Sequence, residues 1–390
     1  MNAVSTKSLR NLSNVMKVLQ VATVATTINA FLLPFAREFR DLGWQVDAAA
    51  EGIEQFPDVQ NAHDKYYEIG FCRNPFKVRA LIQSLIEIRN LLKRERYDVV
   101  HVHTPIASFL TRIASIGVGN TKLFYTAHGF HYVKGNPFWK NAIYYLAEKC
   151  AGLLTDHLFV INEEDYRFAT EKHIASKVSK IDGIGVDMEY FTFSVEDRKV
   201  LRDELGIQDG EVMLLHVAEL IPRKHHSVMF EALAEMKKTE ALGNVKYVVV
   251  GSGPLLTELD QLSRQLKLNE HILFLGYRTD VKRLLSASDV LVLSSKQEGL
   301  PRCVMEAMSV GKPVIASNIR GNSDLLQSGA GILVELNDVE GWQIAIQELV
   351  NSESLRETMG KVGQDLICTR FEESKVIDQV KGVYMNESIR

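Results

Sequence analysis

One stretch constrains the fold of this chain more than any other, because it predicts a strand, a loop, a helix and a second strand in direct succession. Residues 289–293 are predicted to form a buried strand, because valines and leucines follow the aspartate at its start. Gly299 and Pro301 restrict the loop that follows, and good helix formers occupy residues 302–310. A glycine and a proline then precede a second apolar strand over residues 314–316. We therefore expect an α/β sheet with this loop at its carboxyl edge, where open α/β sheets bind ligands.

Two glutamates stand in this stretch with seven residues between them. Glu298 lies in the loop, and Glu306 lies inside the predicted helix. Carboxylates at this spacing accept hydrogen bonds from hydroxyls at two places on one extended ligand, and the free N–H groups at the helix start suit a phosphate or sugar hydroxyls. The alternative is that Glu298 interacts only with the helix dipole and that Glu306 is solvated.

The stretch over residues 294–321, SSKQEGLPRCVMEAMSVGKPVIASNIRG, resembles the paired-glutamate motif of the retaining GT-B glycosyltransferases of family 4. Residues 306–326 are similar to the bacterial exopolysaccharide and capsule branch of that family. The resemblance implies that Glu298 contacts the donor sugar and that Glu306 holds the ribose of the nucleotide. It also implies that the sugar and phosphate meet a set of loop residues, namely Gly299, Leu300, Pro301 and Arg302.

The resemblance implies an α/β fold of the GT-B type, with two Rossmann-like doubly wound domains facing a central cleft and a C-terminal helix crossing back to the first domain. A length of 390 residues suggests two or three domains. A strand at 17–21, a loop at 22–27, a helix at 29–42 and a strand at 46–50 are predicted to open the first domain as a βαβ unit. We expect an acceptor-side domain over residues 1–190 plus 371–390, and a domain that binds the nucleotide-sugar donor over residues 191–370.

Composition and charge exclude several classes of protein. Four cysteines without a C-x-x-C pair indicate neither a disulfide framework nor a zinc site, and they favour a reducing compartment. Residues 1–185 carry 22 Lys and Arg against 18 Asp and Glu, a net charge of +4, and the rest carry 23 against 31, a net charge of −8. This balance argues against nucleic-acid binding, which usually needs a basic domain, and it permits contact with an anionic membrane face.

Three segments bear on membrane contact. Residues 18–36 carry no charge, but polar residues interrupt the apolar run, so a strand, a turn and a helix explain it better than an anchor. The predicted helix over residues 74–96 has cations on its polar side, which a solvated face explains more simply, and interfacial docking stays open. The aromatic-rich helix over residues 137–153 suits either a core or a surface for an isoprenoid-linked acceptor.

Histidines follow two predicted strands of the first half. The strand over residues 97–103 ends at His103, and the strand over residues 123–127 is followed by His128. The carboxyl ends of adjacent parallel strands meet in one crevice, so these histidines are expected together, with His101 on the opposite face in a structural role. No H-E-x-x-H pattern or cysteine partner supports a metal site there.

The family resemblance extends to these positions. A strand-end histidine lies beside the transferred sugar in the family, which makes His128 a candidate catalytic residue together with Glu298. The alternative is a core histidine whose ring bonds to a backbone carbonyl. The candidates on the acceptor side are Thr26, Thr27, His103 and His131.

The second half has a basic turn after its first strand, residues 212–217. Lys224, preceded by Arg223, resembles the family lysine that neutralises the donor pyrophosphate, although an exposed basic turn is the alternative. The family arginine five residues before that lysine is replaced here by Glu219. Either Arg223 supplies the second cation, or this branch of the family uses Glu219 differently. The predicted contacts to the nucleotide ribose and base, besides Glu306, are Gly251, Gly253, Tyr277 and Arg278.

The resemblance implies retaining transfer of a hexose or N-acetylhexosamine from a nucleotide sugar, with UDP as the expected nucleotide, to a polyprenyl-linked saccharide in surface polysaccharide synthesis. Neither a metal nor another cofactor is expected, and the expected place is the cytoplasm, at the inner face of the cell membrane. One alternative is a UDP-sugar 2-epimerase of the GT-B fold, which the paired glutamates and the YTAHGF run argue against. Another is a non-catalytic subunit that binds sugar nucleotides, raised by Glu219.

Overall fold

The computed structural model describes residues 15–72, 77–132 and 137–388. The start of the predicted 74–96 helix and the last two residues of the predicted crossing helix lie outside these ranges. The chain forms two compact units. The first unit comprises residues 1–160, 168–179 and 379–390, and the second comprises residues 161–167 and 180–378.

The sheet of the first unit has the spatial order β3-β2-β1-β4-β5-β6-β7, and the neighbours from β3 to β6 pair in parallel. The order reverses between β1 and β4, which makes their carboxyl ends the ligand-binding position of such a sheet. Its strands are β1 (Lys17–Val24), β2 (Gln45–Glu51), β3 (Lys65–Glu68), β4 (Val99–His103), β5 (Lys122–Ala127), β6 (His157–Val160) and β7 (Val178–Lys180).

The helices along this part of the chain pack beside the sheet or continue into the second unit. They are α1 (Ala25–Phe31), α2 (Leu33–Asp41), α3 (Pro57–Ala62), α4 (Val78–Glu95), α5 (Pro105–Ala114), α6 (Phe138–Gly152) and α7 (Glu163–Glu171), with a 3-10 turn at Ile53–Gln55. Of these, α7 has residues in both units.

The segment after β1 differs from the prediction. The predicted loop over residues 22–27 is wrong, because β1 runs on to Val24 and α1 begins at the next residue. The predicted single helix over residues 29–42 is also wrong, since it is two helices that meet at Leu32. Pro34 lies in the first turn of α2, a position where a proline's missing N–H costs nothing. The anchor alternative for residues 18–36 is thereby replaced by a buried strand and two short helices.

The second sheet has the order β10-β9-β8-β11-β12-β13, and all of its neighbours pair in parallel. This is the Rossmann order, and it reverses between β8 and β11. The strands are β8 (Val212–Val217), β9 (Val245–Val250), β10 (Ile272–Phe274), β11 (Val290–Leu293), β12 (Val314–Ser317) and β13 (Gly331–Val334).

Helices cover both faces of this second sheet. They are α8 (Val195–Leu205), α9 (His226–Lys238), α10 (Leu256–Gln265), α11 (Val281–Ala287), α12 (Arg302–Ser309), α13 (Asn322–Leu326), α14 (Val339–Asn351) and α15 (Glu353–Leu366), with a 3-10 turn at Pro222–Lys224 and a π-helical turn at Ile367–Phe371. The last helix is α16 (Glu373–Ser388), whose residues from 379 onward belong to the first unit.

Alternate residues of β11 belong to two different hydrophobic cores. Leu291 and Leu293 pack in one core with helix α12, whereas Val290 and Val292 pack in the other with α9 and Trp342 of α14. Strand side chains alternate between faces, so a strand with helices on both sides is apolar throughout. This burial explains why the apolar runs predict the strands of the second unit well.

The last helix returns to the first unit, as predicted. Residues 379–390 belong to that unit, where the fully buried Tyr384 packs against the rings of Phe39, Trp44 and Phe124 at centroid distances of 5.3, 6.2 and 5.1 Å. Within the described ranges, every helix is too short or too polar to cross a membrane.

Candidate active site

The carboxyl ends of β8 and β11 bring the basic turn and the glutamate loop together in the second unit. The Ser294 hydroxyl, just after β11, donates to the carbonyls of Lys224 at 3.1 Å and His225 at 2.9 Å. The Lys296 N–H donates to the Arg223 carbonyl at 2.8 Å. These bonds tie two loops that are about seventy residues apart in sequence into one structure at the point where the strand order reverses.

Glu298 lies between the two predicted cations. The Lys224 Nζ is 2.6 Å from Glu298 Oε1, and the Arg223 Nη1 is 3.6 Å from Oε2. The side chain of Lys224 is 13% exposed and that of Arg223 is 44% exposed, so only the arginine resembles an ordinary surface cation. Two cations against one carboxylate leave a net positive charge here, which attracts an anionic ligand. Glu219, at the position of the family arginine, is exposed.

Glu306 is buried in α12, and its carboxylate is paired with an arginine of the same helix. The Arg302 Nε donates to Glu306 Oε1 at 2.7 Å. Burial raises the pKa of Glu306 above its ordinary value, against the lowering effect of Arg302. Before α12, the N–H groups of Gly299 and Leu300 donate no hydrogen bond to any described residue. The loop and helix start therefore offer backbone donors of the kind that bind phosphate.

Close packing against the backbone requires glycine at positions 251 and 253, which the sequence did not reveal. A Cβ on Gly251 would lie 1.9 Å from the carbonyl oxygen of Ala218, and one on Gly253 would lie 2.4 Å from that of Leu220. The loop after β9 thus needs glycine because the backbone after β8 comes so close, which is a different reason from access for a nucleotide. The Gly251 N–H also donates to the Gly276 carbonyl at 2.8 Å.

That hydrogen bond places the other predicted nucleotide contacts beside the glycine loop. Tyr277 follows Gly276 and is 75% exposed, so its ring is available for stacking. Arg278 is engaged with a neighbour, since its guanidinium donates to the carboxylate of Asp280 at 2.7 and 2.5 Å.

In the first unit, two threonines join the ends of β1 and β4. The Thr23 N–H donates to the Thr104 hydroxyl at 2.9 Å, and the two hydroxyls are 2.7 Å apart. Thr104 has φ +68°, a strained conformation for a β-branched residue, and such strain is concentrated at functional sites. Both threonines were missed by the sequence analysis, although the His-Thr-Pro run at a strand end was a signal.

His103 and His128 lie together, as the strand order predicts. One nitrogen of the pair donates to the other, with His103 Nδ1 and His128 Nε2 3.1 Å apart. The expected placement of His101 on the opposite face is wrong, since residues two apart on a strand share a face and its ring centroid is 4.2 Å from that of His103. Burial lowers the pKa of His128 to about 4 and that of His101 to about 3, so both are neutral at neutral pH.

The remaining acceptor-side candidates lie on helix α1 and in the loop after β5. Thr26 is exposed and Thr27 half-buried on α1, and Phe31 of the same helix stacks on His128 at 6.0 Å between ring centroids. His131 is exposed, with its ring 5.3 Å from that of Tyr144 on α6. Among the residues that the structure describes, no three His, Cys, Asp or Glu side chains form a group that could hold a metal ion.

Two family descriptions match the chain, one in each half. Residues 197–366 match the glycosyl transferases of group 1, and residues 28–182 match glycosyltransferase family 4. A protein of Bacillus subtilis (strain 168) that bears the name glycosyltransferase EpsD is 32% identical over 91% of this chain and 92% of its own length.

A second relative and a solved structure extend the comparison. The UDP-Gal:alpha-D-GlcNAc-diphosphoundecaprenol alpha-1,3-galactosyltransferase of Escherichia coli is 31% identical over 81% of this chain and 82% of its own length. The crystal structure of Anabaena HepE in complex with UDP-glucose superposes with a TM-score of 0.80 at 21% identity, covering 95% of this chain and all of that one. At this identity the structural likeness establishes the fold alone.

Proposed function

The chain belongs to the glycosyltransferases of group 1 and family 4, and from this premise we propose that it transfers a hexose or N-acetylhexosamine from a UDP-sugar to a lipid-linked saccharide in surface polysaccharide synthesis. The donor is proposed because one relative is named for a UDP-galactose donor and a structural neighbour binds UDP-glucose. The acceptor is proposed from the same relative's diphosphoundecaprenol-linked substrate.

The observation that carries this proposal is the cluster of Lys224, Arg223 and Glu298 at the ends of β8 and β11. Beside it lie the N–H groups of Gly299 and Leu300, which donate to none of the described residues. A departing nucleoside diphosphate gains negative charge as the sugar bond breaks, and preorganised cations and amides stabilise that charge. A pyrophosphate that binds Lys224 would also release Glu298 from its ion pair. The freed carboxylate could then accept hydrogen bonds from sugar hydroxyls.

Glu306 fits the proposed role of a ribose ligand. Its buried carboxylate has one oxygen held by Arg302, which leaves the other to accept hydrogen bonds from two adjacent hydroxyls. Tyr277 offers an exposed ring for the base. The role of His128 beside the transferred sugar, and those of Thr26, Thr27, His103 and His131 toward the acceptor, stay predictions from the family resemblance.

Thermal denaturation with UDP, UDP-glucose, UDP-galactose, UDP-N-acetylhexosamines, ADP and GDP tests the donor site. A ligand at about 100 times its Kd adds about 2.7 kcal/mol of stability. We expect UDP or a UDP-sugar to stabilise the wild type, and Lys224→Ala and Glu306→Ala to lose that effect. Lys246→Ala serves as control, because Lys246 pairs with Glu211 at the opposite end of the same sheet. No shift with any nucleotide in the folded wild type would refute the donor site.

We also propose retention of the anomeric configuration and independence from metal ions. Arg223 and Lys224 supply the positive charge that a metal ion supplies in other transferases. Proton NMR of the first product should show the donor's anomeric configuration, and excess EDTA should leave the transfer rate unchanged. A product of inverted configuration would contradict the first proposal. Turnover of the donor to an epimer without any acceptor would favour the epimerase alternative.

The first unit carries a surface suited to a membrane, which a lipid-linked acceptor requires. Along α6 the exposed residues form an apolar stripe: Phe138 is 88% exposed, Trp139 64%, Ile143 58% and Leu146 57%. Lys140, on the same helix, is also exposed. Aromatic residues beside a cation bind the interface of an anionic bilayer, where apolar side chains leave water and the cation meets lipid headgroups. We propose that α6 docks the chain on this surface.

Flotation with vesicles of phosphatidylglycerol and phosphatidylcholine tests this docking. The wild type should float with anionic vesicles, and Trp139→Glu should lose most of the bound fraction. Ile344→Glu is the matched control, because Ile344 is 56% exposed on α14 of the second unit. Equal flotation of wild type and Trp139→Glu would exclude α6 as the docking helix.

A further inference from the structure

The short segment 161–167, which follows strand β6, belongs to the second unit and packs against the glutamate loop. The Asn162 side-chain amide donates to the Gly299 carbonyl at 3.2 Å. The Glu163 N–H donates to Asp324 Oδ1 at 2.8 Å, and Asp324 Oδ2 in turn accepts from the Gly321 N–H at 3.2 Å. A segment distant in sequence therefore supports the backbone of the loop that carries Glu298.

Asp165 is at the centre of this contact, and each of its carboxylate oxygens orients a different donor. Oδ1 accepts from Arg320 Nη1 at 2.7 Å, and Oδ2 accepts from the Asn162 amide at 2.9 Å. The side chains of Asp165 and Arg320 are 2% and 7% exposed. The Arg320 Nε also donates to the Glu298 carbonyl at 3.4 Å. Through these two donors, Asp165 is connected to the carbonyls of Glu298 and of Gly299.

The position of these two carbonyls decides where the loop amides point. In a planar trans peptide the N–H is directed opposite to the C=O. The carbonyls of Glu298 and Gly299 point toward the side chains of Arg320 and Asn162. The N–H groups of Gly299 and Leu300, which share these two peptide bonds, therefore point away from those side chains. Those are the N–H groups that have no acceptor among the described residues. They are left available to a ligand.

The residues around Asp165 and Arg320 are tightly packed, and burying the two charges costs desolvation free energy. A Cβ on Gly321 would lie 2.1 Å from the Gly299 carbonyl oxygen, so the loop is pressed against the turn that follows Arg320. Two charges removed from water pay a desolvation penalty that their attraction only partly offsets. Two apolar side chains could not make the hydrogen bonds that this pair directs to the loop, which gives a reason for a buried ion pair at this place.

We propose that Asp165 is a positioning residue: it orients Arg320 and Asn162 so that the amides of Gly299 and Leu300 are preorganised for the diphosphate of the nucleotide sugar. The identity of the ligand, a diphosphate, rests on the proposed function. The claim that Asp165 keeps the loop at Gly299 and Leu300 rigid does not. The two parts can therefore be tested separately.

The first experiment measures loop order in the protein without nucleotide. Backbone 15N relaxation should give order parameters near 0.85 for Gly299 and Leu300 in the wild type, falling below about 0.6 in Asp165→Asn. The control is Asp289→Asn, since Asp289 is also a buried carboxylate whose oxygens accept from two arginines, Arg198 at 2.6 Å and Arg202 at 3.1 Å, at the opposite end of β11. Order parameters that stay near 0.85 in Asp165→Asn would overturn the proposal.

Asn162→Ala provides a second variant should Asp165→Asn fold poorly. It removes the link to Gly299 and leaves the pair of Asp165 with Arg320 intact. We expect the order parameter of Leu300 to fall in this variant and that of Gly299, whose peptide is held by Arg320, to change less. Unchanged values at both amides would count against the network.

The second experiment compares ligands by calorimetry. Asp165→Asn should weaken UDP binding at least about tenfold while the affinity for uridine, which lacks the diphosphate, stays the same. Equal weakening of both ligands would indicate a merely structural role and overturn the proposal. A wild type that binds neither ligand would refute the proposed function, and the relaxation experiment would then decide the positioning role alone.

Discussion

The buried His226 predicts a specific acid sensitivity of the second unit. Its side chain is 2% exposed at the start of α9, and its ring stacks on His216 at 4.3 Å. Burial, and then the positive charge of Lys224 and the neighbouring His225, lower its pKa from 6.5 to about 4. The folded protein therefore keeps this ring neutral over a range in which the unfolded chain protonates it.

The size and direction of the effect follow from linkage. The unfolded chain takes up a proton near pH 6.5, whereas the folded protein takes it up only near pH 4. The unfolded state thus binds more protons between these values, so stability is lost as the pH falls through this window and the loss levels off below about pH 4. Going from about pH 8 to about pH 5, the lost free energy of unfolding is about 2 kcal/mol for this one group.

Urea denaturation of His226→Leu at the two pH values measures this contribution. Trp342 is buried in the second unit and reports its unfolding once the other two tryptophans, Trp44 and Trp139, are replaced by Phe. Neither ring nitrogen of His226 has a hydrogen-bond partner among the described residues, so leucine loses no bond. The difference in free energy of unfolding between about pH 8 and about pH 5 should shrink by about 2 kcal/mol in the variant.

The control removes packing but no titrating group. Leu233→Ala, on the same helix and fully buried, should cost about 2–5 kcal/mol at both pH values and leave their difference unchanged. If His226→Leu keeps the full pH dependence of the wild type, the histidine is not the source of the acid sensitivity, and the reasoning from its burial is wrong.

Three further changes test packing in the two units. Gly251→Ala places a Cβ 1.9 Å from the Ala218 carbonyl oxygen, and we expect a loss of about 1–3 kcal/mol, seen as a lower Tm. Tyr384→Phe removes the hydroxyl that bonds to His101 and should cost about 1–3 kcal/mol in urea denaturation; an unchanged midpoint would mean that water replaces it. Trp342→Ala should cost about 3–5 kcal/mol by the same measurement, unless the surrounding core collapses into the space.

The strands of the second unit could be predicted from the sequence almost to the residue. The bounds Val212–Val217 coincide with the predicted ones, and β11 and β12 each differ by one residue from the predicted 289–293 and 314–316. These strands are buried on both faces, so their apolar runs are continuous and end where the chain meets solvent. The positions of Glu298 in a loop and Glu306 in a helix follow from the same local pattern, because the loop residues and helix formers flank a clear strand.

Some predictions were wrong because a local sequence pattern fitted two structures, or because a side chain was assigned to the wrong face of a strand. The predicted helix over residues 29–42 is split at Leu32, since Pro34 starts a new helix instead of lying inside one. His101 was placed on the wrong face, although its spacing of two residues from His103 required the same face. The glycines at 251 and 253 remain predicted nucleotide contacts, and the close approach of a neighbouring backbone is a second requirement for glycine that the sequence did not reveal.

The sequence by itself determined the class of fold, the strand ends that carry polar chemistry and the family, because apolar periodicity and motif spacing are local properties of a chain. The tertiary structure alone decided which polar groups meet. Asp165 and Arg320 are 155 residues apart, and His101 and Tyr384 are 283 apart. No local pattern encodes such pairs, since their partners are chosen by strand order and by the need to satisfy buried charges and hydrogen-bonding groups once the sheets have formed.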